Sequence, residues 1–236
     1  MNNAIRNGFT LTELLVAMTL SVGITAGGLK LFTLNLHNWQ TVEALASLEE
    51  RAAFALRAIE DDLLPAGLMF PAVATADPLS ASCRGQDVGD WALIEEPAVE
   101  LHDNVTQLPC PAYSGIVAGS DALIIRHLHP VSPTPVKQMH AWYVDTRSSQ
   151  SGQPSLRRHA LLPNGRMQNQ EIIPGVEDMQ IVVSQTDAGS RNIQALHITL
   201  TLRAEIREAG LPGDGFRRIS VRRLFYLRNA FNQHAI

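Results

Sequence analysis

The sequence predicts an α+β fold, in which a long N-terminal α-helix packs on an antiparallel β-sheet and a loop-rich insertion separates them. Three observations support this fold class. No proline occurs from Phe9 to Leu64, apolar and polar residues alternate in several segments after Asp121, and Pro, Ala, Gly, Asp and Ser dominate from Met69 to Gly119. The 236 residues have room for one membrane helix and one globular domain, here assigned to 66–236.

The first part of the helix is apolar enough for a bilayer, and we assign residues 9–36 to a transmembrane and assembly segment. A single carboxylate, Glu13, interrupts the apolar run that continues to Leu29. An ionised carboxylate at mid-bilayer costs about 2.5–3.5 kcal/mol on insertion scales, so Glu13 needs a cationic partner. Lys30 marks the expected outer boundary, where its amine can reach water.

Residues 37–65 are predicted to continue the helix in amphipathic form. Apolar residues recur there in steps of three and four, with Glu49 as the one interruption. The stripe comprises Val42, Leu45, Ala52, Leu56, Ile59 and Leu63. It is too short for a sustained coiled coil, so we expect it to lie on the protein's own sheet. Pro65 and Gly67 should end the helix.

Strands are predicted after the insertion, and there is no internal repeat. The predicted segments are 121–129, 138–145, 155–162, 178–184, 192–206 and 218–227. Pro163-Asn164-Gly165 indicates a turn, and a hairpin is expected across residues 187–189. The fifth segment alternates most clearly, with leucine and isoleucine on one face and polar residues on the other.

A short polar leader, residues 1–8, precedes the apolar run. It contains Arg6 and ends in Gly8, and Phe9 follows directly. This pattern resembles the class III leader of type IV prepilins and secretion pseudopilins, in which a prepilin peptidase cuts after the glycine and leaves the apolar segment in place. The resemblance implies cleavage between Gly8 and Phe9, N-methylation of Phe9, and a role in subunit assembly for Glu13, one helical turn from the new ammonium.

The alternative is an ordinary secretory signal, which is removed together with its apolar core. Such a signal needs a small-x-small site just after the core. Ile24-Thr25-Ala26 fits that rule poorly, and Ala74-Thr75-Ala76 lies far too late.

Four further segments resemble the minor pilins called PilW. They are 51–56 with 61–67, 121–126, 174–180 and 225–229. The resemblance implies a subunit that primes pilus assembly, with other minor pilins, the major pilin and a large tip adhesin as partners. It also implies an inner-membrane location with a periplasmic domain before assembly, and the pilus tip afterwards. The GspJ pseudopilin of type II secretion shares this build and remains the alternative.

Both cysteines, Cys83 and Cys110, follow the apolar segment. In an exported domain they would meet an oxidising compartment, so we expect a disulfide that closes the insertion; two unpaired buried thiols are the alternative. The closed loop would stabilise the fold by about 3.5 kcal/mol, and the strands of the sheet are expected to lie outside it. The PilW resemblance would place a cysteine shortly after Gly67, so no family pairing is carried over.

Charge argues against nucleic acid as the main partner. Residues 65–236 hold 15 Lys+Arg and 16 Asp+Glu, although 203–236 alone hold seven arginines and three acids. The arginines expected to make contacts are Arg217, Arg218, Arg222 and Arg223. Contact of these arginines with DNA phosphates would make the chain a DNA-binding uptake pilin, which is the alternative from another function class. An acidic partner subunit, or protection of an edge strand, is favoured over DNA because few aromatic residues lie nearby.

No enzymatic activity, cofactor or metal is predicted. The sequence has no Gly-x-Ser-x-Gly, His-Glu-x-x-His or Cys-x-x-Cys motif and no phosphate-binding glycine loop. His127, His129 and His140 lack a diagnostic metal-ligand spacing. The acids of the insertion lack the alternation of a calcium loop; they are Asp87, Asp90, Glu95 and Glu96.

Overall fold

A computed structural model describes residues 10–67, 81–93, 97–110, 115–129, 136–148, 152–185, 193–208 and 211–228. The helices are α1 (Leu11–Leu63) and α2 (Gly89–Ala92). The strands are β1 (Ser82–Cys83), β2 (Gln86–Asp87), β3 (Val99–His102), β4 (Ala122–His129), β5 (Val136–Asp145), β6 (Ser155–Leu161), β7 (Met167–Pro174), β8 (Val176–Gln185), β9 (Ile193–Arg203) and β10 (Arg218–Tyr226). A long N-terminal helix followed by antiparallel sheets is the α+β layout that the sequence predicts.

The chain forms two compact units, Met1–Ala46 and Ser47–Ile236. The described part of the first unit is helical from Leu11 onward, and its apolar side chains are exposed. The second unit begins within α1, which ends at Leu63, two residues before Pro65. Gly67 has a φ of 72° in the turn that follows, which agrees with the predicted stop.

The buried stripe of α1 agrees with the prediction only in its second half. Ala52, Leu56, Ile59 and Leu63 are buried, as expected, together with Leu48 and Ala55. Val42 and Leu45 were expected in the stripe, but they are 63% and 37% exposed. Both belong to the first unit, whose described residues contain α1 and no strand that could cover them.

The strands form two larger antiparallel sheets, where the sequence predicted one. The orders are β3-β4-β5-β6-β7 and β10-β9-β8, and β1 with β2 adds a small ribbon. The chain passes between the larger sheets at Gly175, whose φ is 78°. A Cβ at this position would lie 2.9 Å from the Arg203 carbonyl oxygen and 2.8 Å from Arg51 Nη2, so only glycine fits the crossing without rearrangement.

The five-stranded sheet is covered on both faces. One face packs with α1 and the three-stranded sheet around residues such as Leu123, Ile125 and Trp142. The other face packs with the insertion, through Ala122, Ile124 and their neighbours on β5. Consecutive residues of β4 therefore enter opposite cores, and every position from 122 to 128 is buried.

The insertion is more regular than its composition indicates. It contains β1, β2, α2 and β3, and β3 pairs with β4 from Val99↔Ile125 to His102↔Ala122. The expectation that all sheet strands lie outside the Cys83–Cys110 loop is therefore wrong, because β3 lies inside it. β7 was not predicted, because the polar run from Gln168 to Glu171 gives no alternation signal.

Candidate functional site

The N-terminal part of α1 is the first candidate site. Within the described residues, α1 is the one helix long and apolar enough to cross a membrane, a property that signal sequences near an N terminus share. Its large apolar side chains are exposed from Leu11 to Leu45; examples are Leu11 at 76%, Ile24 at 77% and Trp39 at 64%. So large an exposed apolar surface indicates contact with lipid or with other helices.

Glu13 lies in the first turn of α1 and forms a local capping box with Thr10. The Thr10 backbone N–H and hydroxyl both donate to Glu13 Oε2, at 2.9 and 2.8 Å. In return, the Glu13 backbone N–H donates to Thr10 Oγ1 at 3.3 Å. The Thr-x-x-Glu spacing was visible in the sequence, but Thr10 was not recognised as the partner.

The predicted cleavage and methylation positions, Gly8 and Phe9, lie outside the described residues, as does the rest of the leader. The pairing of Glu13 with a Phe9 ammonium therefore stays a prediction. The contacts with Thr10 do not conflict with it, because a carboxylate has a second oxygen with its own lone pairs.

The insertion is the second candidate site, and the expected Cys83–Cys110 disulfide is present. A second anchor is Arg126 on β4, whose guanidinium is almost fully buried. Arg126 donates to the backbone oxygens of Trp91 and Pro97 at 2.9 and 3.0 Å. It also pairs with Glu100 of β3 at 2.8 Å, so one cation on the sheet holds the segment of the insertion from Trp91 to Glu100.

His159 lies beneath the disulfide on the same face of the five-stranded sheet. It is fully buried, and its imidazole comes within 4.8 Å of both cysteine sulfurs. Burial lowers the pKa of His159 from 6.5 to about 4, so the ring is neutral at physiological pH. Because His159 lies 49 positions after Cys110, sequence spacing alone could not reveal this neighbour.

Three of the four candidate arginines form ion pairs. Arg217 pairs with Glu208 at 2.7 Å, Arg218 with Glu177 at 2.6 Å and also with Asp214, and Arg223 with Glu60 of α1 at 3.3 Å. The hydrogen bond from Arg218 holds the pKa of Asp214 far below its usual range. These side chains therefore already have acidic partners within the chain.

Arg222 differs from the other three. Among the described residues it has no ion pair, and its side chain is exposed beside β9, opposite Thr199. Val182, Leu224 and Tyr226 are exposed on the same face of the three-stranded sheet, at 58%, 38% and 73%. This part of the face combines the Arg222 cation with three large apolar side chains.

The histidines and acids weighed for metal binding are only partly brought together. The His127 and His140 rings meet edge to face at 5.6 Å, and His140 Nδ1 lies 3.0 Å from Asp62. The His129 side chain lies outside the described residues, as do Glu95 and Glu96. Asp87 accepts a hydrogen bond from the Gly89 backbone N–H at 2.9 Å, an ordinary turn contact.

Comparison of this chain with protein-family models, curated proteins and solved structures found no match.

Proposed function

We propose that the chain is a minor pilin of a type IV pilus, which helps to prime assembly and stays in the tip complex. The observation that carries the proposal is the junction of a polar leader ending in Gly8 with an apolar segment whose only carboxylate is Glu13. A secretory signal that is removed with its apolar core would not need a carboxylate in that core, where burial of the charge is costly.

The first unit of the protein is consistent with this function. From Leu11 to Leu36 its large apolar side chains are exposed, and α1 continues from them without a break into the globular unit. One continuous helix can thus be stored in the inner membrane and later pack against equivalent helices in a filament. Both environments bury the same apolar surface, which stabilises each state by a similar mechanism.

The surface arginines favour a protein partner over DNA. Because Arg217, Arg218 and Arg223 are paired with carboxylates, phosphate binding would have to displace those acids. The exposed face around Arg222 combines charge with apolar side chains, which suits a neighbouring subunit better than a phosphate backbone. We expect binding to a short DNA duplex to be no stronger for this protein than for its Arg222→Ala variant.

The decisive test is the mature N terminus. Mass spectrometry of the membrane-associated protein should show a chain that begins at a methylated Phe9. Gly8→Glu should leave the precursor uncut but still inserted, because the side chain obstructs the junction in the peptidase. Asn3→Glu, the same charge change away from the junction, should be processed normally. A mature chain that begins after Ala26 or Ala76 would refute the proposal.

A deletion strain separates the pilus from the secretion alternative. Loss of surface pili with unchanged export of secreted proteins supports the minor pilin, and the reverse pattern supports a GspJ-like pseudopilin. Complementation with the Gly8→Glu variant should fail in either case, because neither filament accepts an uncut subunit.

A further inference from the structure

Three metal-binding side chains meet between the insertion and the five-stranded sheet. Cys83 belongs to β1, Cys110 follows β3, and His159 lies on β6. Their ligand atoms all lie within 4.8 Å of one another, and the three residues are 3%, 0% and 0% exposed. Among the described residues, no fourth cysteine, histidine or carboxylate joins this group.

The dimensions of the group fit one zinc ion once the cysteines are reduced. Zn–S bonds of about 2.3 Å and Zn–N bonds of about 2.0–2.1 Å place the ligand atoms of one tetrahedral zinc roughly 3.6–3.8 Å apart. The Cα atoms of Cys83 and Cys110 are 5.7 Å apart, so two separate thiolates can reach one ion from the present backbone. Each ligand atom therefore has to move by about 1 Å to bind the ion, and rotation of its side chain can supply that movement.

The charge of the group also suits a divalent ion. Two thiolates, one neutral imidazole and Zn²⁺ sum to zero, which matters in a core lined by apolar residues such as Ile124, Ala141 and Leu161. The imidazole of His159 is fully buried beside the two sulfurs, and imidazole binds metal in its neutral form. Soft sulfur ligands without a carboxylate disfavour Mg²⁺ and Ca²⁺.

We propose that the reduced protein binds one Zn²⁺ through Cys83, Cys110 and His159, and that this site and the disulfide are alternative states of the same pair of cysteines. A thiol or phosphine reductant supplies the two electrons that break the S–S bond, and each sulfur takes up one proton. Both thiols release their protons when Zn²⁺ binds. In each state one link between β1 and the segment after β3 closes the insertion against the sheet. The zinc state additionally ties that link to β6 through His159. Water completes the tetrahedron as the fourth ligand. The inference does not depend on the pilus assignment.

The test uses the full chain in detergent, reduced by a phosphine, freed of metal by a chelator and titrated with Co²⁺ as a spectroscopic probe. One equivalent of Co²⁺ should produce a thiolate-to-metal charge-transfer band, which Zn²⁺ then removes. Cys83→Ser should abolish the band, and His159→Gln should weaken binding at least about tenfold. His197→Gln, a histidine of β9 on the other sheet, should bind like the parent protein.

Bound Zn²⁺ should also protect both thiols from alkylation, and the disulfide-bonded protein should show no band. Reduced, folded protein that lacks the band, or unchanged binding by His159→Gln, would overturn the proposal. If reduction alone unfolds the globular unit, its near-ultraviolet circular dichroism decides the question. Recovery of that signal on addition of Zn²⁺ supports the site, and failure to recover refutes it.

Discussion

Trp142 Nε1 donates a hydrogen bond to Asp62 Oδ2 at 2.9 Å, which joins the middle of β5 to the last turn of α1. The indole is fully buried, and Asp62 is 7% exposed. Arg158 of β6 also approaches Asp62, at 3.3 Å, as does His140 at 3.0 Å. The end of α1 is thus held to the five-stranded sheet by a polar network in addition to its apolar stripe.

Removal of the indole donor should be costly. Trp142→Phe loses this hydrogen bond and leaves a cavity, and together these should lower the free energy of unfolding by about 2–3 kcal/mol. Denaturant unfolding of the protein in detergent measures the change. Tyr226→Phe is the control, because Tyr226 is 73% exposed, and it should alter stability by less than about 0.5 kcal/mol. Equal effects of the two substitutions would contradict the structural role of Trp142.

Gly175 and Gly213 allow steric crowding to be separated from backbone strain. Both have positive φ, 78° and 82°, but a Cβ at Gly213 would meet nothing within 4 Å. Gly213→Ala should therefore cost about 1–2 kcal/mol from its backbone conformation alone. Gly175→Ala should cost about 3 kcal/mol, because its Cβ also collides with Arg51 and Arg203. Thermal unfolding of both variants checks the difference, and similar costs would show that the crossing tolerates a methyl group.

The sequence predicted the elements whose local pattern matches their environment. The hairpin of β8 and β9 has alternating residues because one face is buried, and β6 and β7 are joined by the predicted turn, with Gly165 at a φ of 76°. The division into two sheets was not predictable, because it depends on one crossing at Gly175. The insertion was read as irregular because β3 has only four residues and owes its order to β4.

The residues of the candidate sites were likewise predictable only where a local signal marks them. Glu13 and the cysteines could be recognised as single residues in unusual positions. The disulfide could be predicted from the oxidising compartment expected for an exported domain. The Arg126 anchor and the approach of His159 to the cysteines depend on tertiary contacts between distant segments. No local pattern encodes them.

Loss of the disulfide should loosen the insertion, including the strand within it. The Cys83→Ala/Cys110→Ala variant should lose about 3.5 kcal/mol in the chain-entropy model. Amide hydrogen exchange should rise from residue 81 to residue 110, with β3 included, and change least in β8, β9 and β10 on the other sheet. Uniformly faster exchange in both sheets would mean that the insertion and the three-stranded sheet open as one unit.

The buried His159 should make the disulfide-bonded protein sensitive to acid. Its pKa is about 4 when folded and 6.5 when exposed, so the unfolded state binds the extra proton between these values. Stability is therefore complete above pH 6.5 and falls as the pH drops towards about 4, by roughly 3 kcal/mol in total. His159→Gln should remove this component of the pH dependence, whereas His197→Gln should keep it. Parallel curves for His159→Gln and the parent protein would contradict the assignment.

Glu13→Ala and Thr10→Ala separate subunit assembly from helix capping. Glu13→Ala removes an expensive charge from the apolar segment, so membrane insertion and cleavage should persist while surface piliation falls. Thr10→Ala removes the cap, worth about 1 kcal/mol, but keeps the carboxylate, so piliation should stay near normal. Immunoblots of processed protein, counts of surface pili and co-purification with other minor pilins provide the readouts. Equal loss in both variants would assign the role of Glu13 to capping.

The burial of both faces of β4 should restrict the substitutions that this strand accepts during evolution. A strand with one solvent-exposed face can accept substitutions at half of its positions with little loss of stability, as β10 can at Ser220 and Arg222. β4 has no such freedom, because residues 122 to 125 alternate between the two cores and residues 126 to 128 are buried as well. Homologues of this protein should therefore keep a recognisable β4 sequence long after their surface strands have diverged.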